Sequence, residues 1–178
     1  MLIIMEIDNG YFYSEEWIEG YKAFYGGITN QYGEKYEIGK VYVESKDSKH
    51  VGYHFCKNIE DTLVFYPYSD DIEFYQVSGK GNAVIYSNDY YGVYNVYATE
   101  MIKINRKVER EEILNYFLNK SYLLFPDRIC RFISLYRLNS EEIEMFKSFY
   151  KNGKKICRYI SYYQEGKSEV FKKKSLEK

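Results

Sequence analysis

The sequence predicts an α+β protein, with a mostly antiparallel sheet in its N-terminal part and a small helical bundle in its C-terminal part. Residues 1–105 consist of short apolar and aromatic runs separated by glycines and polar turns, a pattern typical of strands. Residues 106–178 carry apolar side chains at three- and four-residue spacing, which is typical of amphipathic helices. We therefore expect an acidic β-rich domain over 1–105 and a basic helical region over 106–178.

The charge balance changes at the same place. Residues 1–105 contain 8 Lys and Arg against 16 Asp and Glu, a net charge of −8, and residues 106–178 contain 17 against 10, a net charge of +7. Such an asymmetry indicates two surfaces that favour partners of opposite charge.

The N-terminal part is predicted to contain several strands and two short helical segments. Ser14 is expected to cap one helical turn over 14–18, and Asn58 to cap a short helix with Glu60 and Asp61 in its first turn. A hairpin-like connection is expected over 79–82, because two glycines flank Lys80. The predicted strands cover residues 2–7, 21–25, 36–43, 51–55, 72–77, 83–86 and 93–104.

Four helices are predicted in the C-terminal part. The first covers 109–118, the second begins at Pro126, the third is capped by Ser140 and ends at Gly153, and the fourth covers 156–163. The apolar residues expected to face inward in the first three are Ile113, Leu114, Phe117, Leu118, Ile129, Phe132, Ile133, Tyr136, Ile143, Phe146, Phe149 and Tyr150.

Composition limits the class of protein. Cys56, Cys130 and Cys157 are an odd number of cysteines without a CxxC pair, which favours reduced thiols in a cytosol over a secreted disulfide framework. The N-terminal apolar run lacks a basic region in front of it, so we predict no signal peptide, and no run reaches the length of a membrane span. We expect a cytoplasmic protein.

Three ordered motifs resemble a family of small proteins and domains encoded by phages and other mobile elements. Lys22-x-Phe24 matches K-x-F, residues 36–42 match Y-x-x-G-K-x-Y, and residues 52–58 match G-[FY]-H-x-C-x-N. The resemblance covers roughly residues 20–113. It implies a mobile-element origin and an α+β domain, and it supplies no set of catalytic residues.

His54 is the candidate catalytic residue. It lies where a predicted strand leads into a helix, and imidazole titrates near neutrality, as general acid–base cleavage of RNA without a metal requires. Lys22, Lys57 or the C-terminal lysines would hold the phosphate. The alternative is a structural histidine bonded to backbone groups. His50, His54 and Cys56 also have metal-ligand chemistry, but no second pair completes a tetrahedron, so we predict neither a metal nor a cofactor.

A candidate nucleic-acid surface lies near the C-terminus, where basic residues are interleaved with tyrosines. Cations contact phosphates, and tyrosines stack on unpaired bases. A solvated basic helix face is the alternative. The residues assigned to this surface are Lys151, Lys154, Lys155, Arg158, Lys172, Lys173 and Lys174.

From the resemblance, the charge asymmetry and the tyrosine content, we expect a counter-defence protein that acts in a bacterial host cell. The most specific form of this hypothesis is an anti-CRISPR protein against a type II RNA-guided nuclease, whose partners are the nuclease, its guide RNA or both. Inhibition by steric binding and by guide-RNA truncation through His54 both remain open, as does the oligomeric state. The alternatives are a non-enzymatic accessory or oligomerising module, and an ADP-ribosyltransferase-like modifier. For the latter, Glu142 and Glu144 supply a Glu-x-Glu pair on a predicted helix.

Overall fold

The computed structural model describes residues 5–7, 10–29, 33, 35–44, 52–65, 72–88, 93–119, 129, 132–133, 136 and 138–149, and the statements below concern these residues. The protein belongs to the α+β class, and the sheet dominates. The chain divides into two units, Met1–Glu109 and Arg110–Lys178. The predicted boundary at 105/106 lies inside the last strand.

Six strands, all paired in antiparallel fashion, form one sheet in the described part of the first unit. A single helical turn and a 3₁₀ turn follow the fourth strand. The elements are β1 (Met5–Ile7), β2 (Tyr11–Tyr25), β3 (Val41–Val43), β4 (Tyr53–Cys56), α1 (Ile59–Thr62), the 3₁₀ turn (Leu63–Phe65), β5 (Ile72–Asn88) and β6 (Val93–Lys107).

Four of these strands form a closed ring of pairings. Strand β2 pairs with β5, β5 with β6, β6 with β4, and β4 returns to β2 through the pair Tyr21 and Cys56. The ladders of β5 with its two neighbours each run over ten or more residue pairs, whereas one pair joins β4 to β2. The β2–β4 seam is therefore the part of the ring with the fewest backbone bonds.

The core cluster draws on all four strands of the ring. Phe55 of β4 packs between the other strands, and its ring stacks on Tyr97 at 5.4 Å between centroids. Gly79 of β5 makes room for it, because a Cβ at that position would lie 2.5 Å from Phe55 Cε1. The buried members of the cluster are Phe24, Tyr36, Phe55, Tyr75, Val77, Ile102 and Ile104.

Two predictions for the first unit are wrong. The helical turn expected over 14–18 is a continuous part of β2, and the Ser14 hydroxyl donates to the carbonyl oxygen of Glu16 instead of capping a helix. The hairpin expected over 79–82 does not occur, because β5 continues through it. Its glycines relieve close contacts: a Cβ at Gly81 would lie 2.8 Å from the Glu100 carboxylate.

The strand predicted over 36–43 is shorter than expected. Gly39 has a φ of 85° and lies in a turn in which the Lys40 amide donates to the Glu37 carbonyl at 3.3 Å. Strand β3 therefore begins only at Val41. The other predicted strands of this unit correspond to β1, β4, β5, β6 and the end of β2, with shifted boundaries.

The second unit contains helix α2 (Arg110–Asn119) and helix α3 (Ser140–Phe149). The aromatic rings of this unit pack on one another: Phe132 stacks on Phe117 at 3.9 Å and on Tyr136 at 4.9 Å between centroids. Ile113, Phe117, Leu118, Ile129, Phe132, Ile133, Tyr136 and Phe146 are buried, as predicted.

Helix α3 begins with a reciprocal cap on Asn139, one residue earlier than predicted. The Glu142 amide donates to Asn139 Oδ1 at 2.9 Å, and the Asn139 amide donates to Glu142 Oε2 at 2.7 Å. The start of the second predicted helix and the whole of the fourth lie outside the described residues. In the described part of the chain, no helix is long and apolar enough to cross a membrane.

Candidate functional site

Strand β4 places His54 on the surface. Tyr53 and Phe55 contribute to the core cluster, and Cys56 is buried against Val64 and Val96. The His54 side chain is exposed and not buried. An exposed imidazole at this position is accessible to a partner or a substrate.

Lys22 is the cation of the first motif, and it reaches His54 through the backbone. Its Nζ donates to the His54 carbonyl oxygen at 2.6 Å across the β2–β4 seam, and it lies 5.8 Å from the centroid of the Phe24 ring. Burial lowers the pKa of the half-buried Lys22 amine to about 8, and the neighbouring Cys56 partly opposes that shift. An amine that is bonded to the main chain and partly neutral near pH 8 is a poor holder of phosphate.

The tyrosines of the motifs pack into one aromatic group. Tyr36 contacts Phe24, Tyr42 and Tyr53, with ring centroids 5.7, 4.8 and 6.3 Å apart. The Tyr42 hydroxyl also accepts a hydrogen bond from the Glu37 amide at 2.7 Å. These ring contacts and the hydrogen bond place the motif tyrosines in the packing of the first unit.

Gly52, which opens the third motif, is required by close packing. It has a φ of 51°, and a Cβ there would overlap the Thr99 carbonyl group. Its amide donates to the Glu44 carboxylate at 2.6 Å, and the Glu44 amide donates to the Glu100 carbonyl at 2.9 Å. Glu44 thus ties the end of β3 to the start of β4.

Asn58 and Asp61, after the motif cysteine, stabilise the turn into α1. The Asn58 side-chain amide donates to Asp61 Oδ2 at 3.1 Å, and Asn58 makes no side-chain capping bond to the helix backbone. Glu60 and Asp61 are buried. The predicted cap residue is therefore at the helix start, but it acts through a side chain in the first turn.

The other predicted site residues divide into two groups. All seven basic residues assigned to the nucleic-acid surface (Lys151, Lys154, Lys155, Arg158, Lys172, Lys173 and Lys174) lie outside the described residues, and so does His50. Within the described residues, no group of three or more His, Cys, Asp or Glu side chains is arranged to hold a metal ion.

Glu142 of the Glu-x-Glu pair is engaged within the second unit. Both of its carboxylate oxygens accept bonds from the Arg110 guanidinium, at 2.6 and 2.5 Å, and Arg110 also lies over the Tyr136 ring. These contacts, led by the Arg110 hydrogen bond, lower the pKa of Glu142. A carboxylate held in this way stabilises the helices, which counts against Glu142 as the glutamate of the transferase-like alternative.

An exposed face of β2 was missed at the level of sequence. Tyr11, Tyr13, Glu15, Trp17 and Glu19 follow every second position, and all five are exposed. We call these five residues the β2 stripe. The two-residue spacing of these side chains is a strand signal in the sequence. The Ser14-Glu15-Glu16 run also resembles a helix start, so the segment was predicted as a helical turn.

Comparison with known families gives one match. The family model described as "Domain of unknown function (DUF7666)" matches residues 18–116, which include all three motifs. No curated protein and no solved structure matches the chain.

Proposed function

We propose that this chain, which belongs to the DUF7666 family, is a non-catalytic binding protein that blocks a nucleic-acid enzyme by occupying its cationic groove. The main support for this proposal is that most motif side chains have structural contacts within the first unit. Lys22, Tyr36, Tyr42, Gly52 and Cys56 are all bonded or packed within the first unit. The motifs therefore support a role in building the domain rather than in catalysis.

The distribution of charge favours a cationic target. The first 105 residues carry a net charge of −8, and Glu15, Glu16 and Glu19 are exposed on β2. Enzymes that hold nucleic acid line their channels with Lys and Arg, which attract an acidic surface of suitable shape. Together with the resemblance to mobile-element proteins, this supports a counter-defence protein in a bacterial host, with a type II RNA-guided nuclease as its target.

The second unit has a separate part in the proposal. We assign it a small helical bundle, supported by the stacking of Phe132 on Phe117 and by its 5.8 Å contact with Phe146. Its basic residues would contact the guide RNA or the nuclease-bound nucleic acid.

Guide-RNA truncation is the second candidate function, and the exposure of His54 favours it. In that mode His54 acts as general acid or base, and the exposed Lys57 supplies a cation. The lowered pKa of Lys22 and its bond to the main chain count against a role for that lysine in holding phosphate.

The test is a binding and integrity assay on the nuclease loaded with guide RNA. Size-exclusion chromatography of the mixture should give a complex that contains both proteins, and a denaturing gel should show full-length guide RNA. Shortened RNA that is absent with His54→Ala would replace this proposal with the catalytic mode. Absence of a complex together with unimpaired cleavage of target DNA would refute the nuclease as target and leave the accessory-module alternative.

A further inference from the structure

The β2 stripe is an aromatic and acidic surface on the outside of the sheet. Tyr11, Tyr13 and Trp17 have exposed fractions of 46, 41 and 40 %, whereas the intervening Phe12 and Ser14 are buried. Four of the five stripe residues precede the segment that the family model matches, so most of the stripe lies outside the matched segment.

A bulge in β2 displays the centre of the stripe. Ser14 pairs with Gly81 and Ile18 with Gly79, so that three residues of β2 lie opposite Lys80 alone. Bulges of this kind interrupt a ladder and turn side chains outward. Here the residues displayed are Glu15, Glu16 and Trp17, and all three are exposed.

The indole of Trp17 already accepts a cation. Lys80 Nζ lies 6.0 Å from the centroid of the Trp17 ring. The contact indicates that the ring presents a face to positive charge, as in cation–π pairs. A guanidinium binds such a face more favourably than an ammonium, because it is planar and more weakly hydrated.

Three exposed carboxylates of β2 have no ion-pair partner in the described part of the chain. Glu15, Glu16 and Glu19 form neither an ion pair nor a side-chain hydrogen bond there. By contrast, the exposed Glu37 pairs with Lys40, and the half-buried Glu73 pairs with Lys107. The carboxylates of Glu15, Glu16 and Glu19 are thus available for external cations.

We propose that the β2 stripe, together with Glu16, is the docking surface for an arginine-rich protein segment, with arginine on Trp17 and its neighbours paired with the carboxylates. Charge complementarity selects this occupant, because three carboxylates repel phosphates and attract guanidinium groups. Exposed Trp and Tyr beside unpaired charge have the composition of binding hot spots. The inference rests on the proposed function, whose cationic groove would supply the arginines.

Trp17 is the one tryptophan of the chain, so its fluorescence reports on this surface directly. The probe is a nona-arginine peptide, with nona-lysine as comparison, titrated at low and at high salt. We expect a change in Trp17 emission, binding that weakens with salt, and tighter binding of nona-arginine than of nona-lysine.

The variant Glu15→Gln/Glu16→Gln/Glu19→Gln should bind labelled nona-arginine about 10-fold more weakly. The matched control is Glu109→Gln/Glu111→Gln/Glu141→Gln, which removes three other exposed carboxylates and should bind like the wild type. Equal affinity of both variants, or no emission change with wild type, would refute the assignment of the surface. Self-association of the protein that the first variant abolishes would assign the stripe to a second copy and would also refute it.

The nuclease assay separates this inference from the proposed function. Loss of inhibition in Glu15→Gln/Glu16→Gln/Glu19→Gln (the stripe variant), but not in the control variant, supports both the docking surface and the proposed function. Full inhibition by the stripe variant refutes the docking surface while the proposed function stands. Binding of nona-arginine at Trp17 without any inhibition by the wild type refutes the nuclease as target and supports the surface.

Discussion

Lys22 makes the stability of the protein depend on pH in an unusual direction. The pKa of its amine is about 8 in the folded chain, against 10.5 when it is solvated. Between these values the unfolded chain binds more protons than the folded chain, so the free energy of unfolding rises with pH. Below pH 8 the folded protein carries the full cost of a half-buried ammonium group.

The size of the effect follows from the two pKa values. Each unit of difference corresponds to about 1.4 kcal/mol, so the upper limit is about 3 kcal/mol gained between pH 8 and pH 10.5. Partial access to solvent reduces the gain, and about 1–2 kcal/mol is expected. The bond to the His54 carbonyl persists, because a neutral amine still donates a hydrogen bond.

Urea unfolding of the wild type and of Lys22→Met at pH 8, 9 and 10 measures this effect. As pH rises, the free energy of unfolding of the wild type should increase relative to that of Lys22→Met, because the variant lacks the titrating group. Lys57→Met is the control, because Lys57 is exposed, and it should run parallel to the wild type. Parallel curves for wild type and Lys22→Met would refute the burial of the Lys22 charge.

Two further predictions concern packing and an ion pair. Gly52→Ala should destabilise the protein by at least about 3 kcal/mol, because its Cβ meets the Thr99 carbonyl, whereas Gly26→Ala, with φ also positive but with no atom within 4 Å, should cost about 1 kcal/mol in chemical denaturation. A similar cost for both would contradict the close contact. Glu142→Gln should cost about 2 kcal/mol at neutral pH through loss of its pair with Arg110. The pKa of Glu142 is lowered on folding, so its contribution to stability is present above pH 4.5 and is lost as pH falls through the folded pKa. The unfolding free energies of wild type and variant should therefore converge in acid. A difference that stays constant with pH would contradict this assignment.

Much of the fold was predictable where local pattern and packing agree. Helix α2 has its apolar residues at helical spacing, and Ile113, Phe117 and Leu118 are buried as expected. Strand β4 and the turn into α1 also lie close to their predicted positions. In these segments the periodicity of the side chains and the end signals favour the same structure.

The segments that were predicted wrongly carry local signals for a helix start or a turn, although they are parts of strands. Ser14-Glu15-Glu16 has the composition of a helix start, yet its pairing with β5 keeps it extended around a bulge. Gly79 and Gly81 resemble turn residues, but their lack of a Cβ serves contacts with Phe55 and Glu100, which come from distant strands. Neither partner is visible from local sequence.

The candidate site was predictable only in part for the same reason. The position of His54 in a strand was predicted, but its exposure was not, because the burial of β4 does not alternate strictly: Phe55 and Cys56 are both buried. The engagement of Lys22 with the His54 carbonyl depends on how the ring closes at the β2–β4 seam. The β2 stripe was not predictable from a segment assigned to a helix, because its exposed face exists only when Ser14–Ile18 is extended.

Under the proposed function, the protein acts by stoichiometric binding and His54 is not catalytic. A titration of guide-loaded type II nuclease with the wild type and with His54→Ala, read out as cleavage of target DNA, tests it most directly. We predict that both proteins abolish cleavage at equimolar amounts and leave the guide RNA at full length. Inhibition by substoichiometric wild type that is lost with His54→Ala would contradict stoichiometric binding and assign a catalytic role to His54.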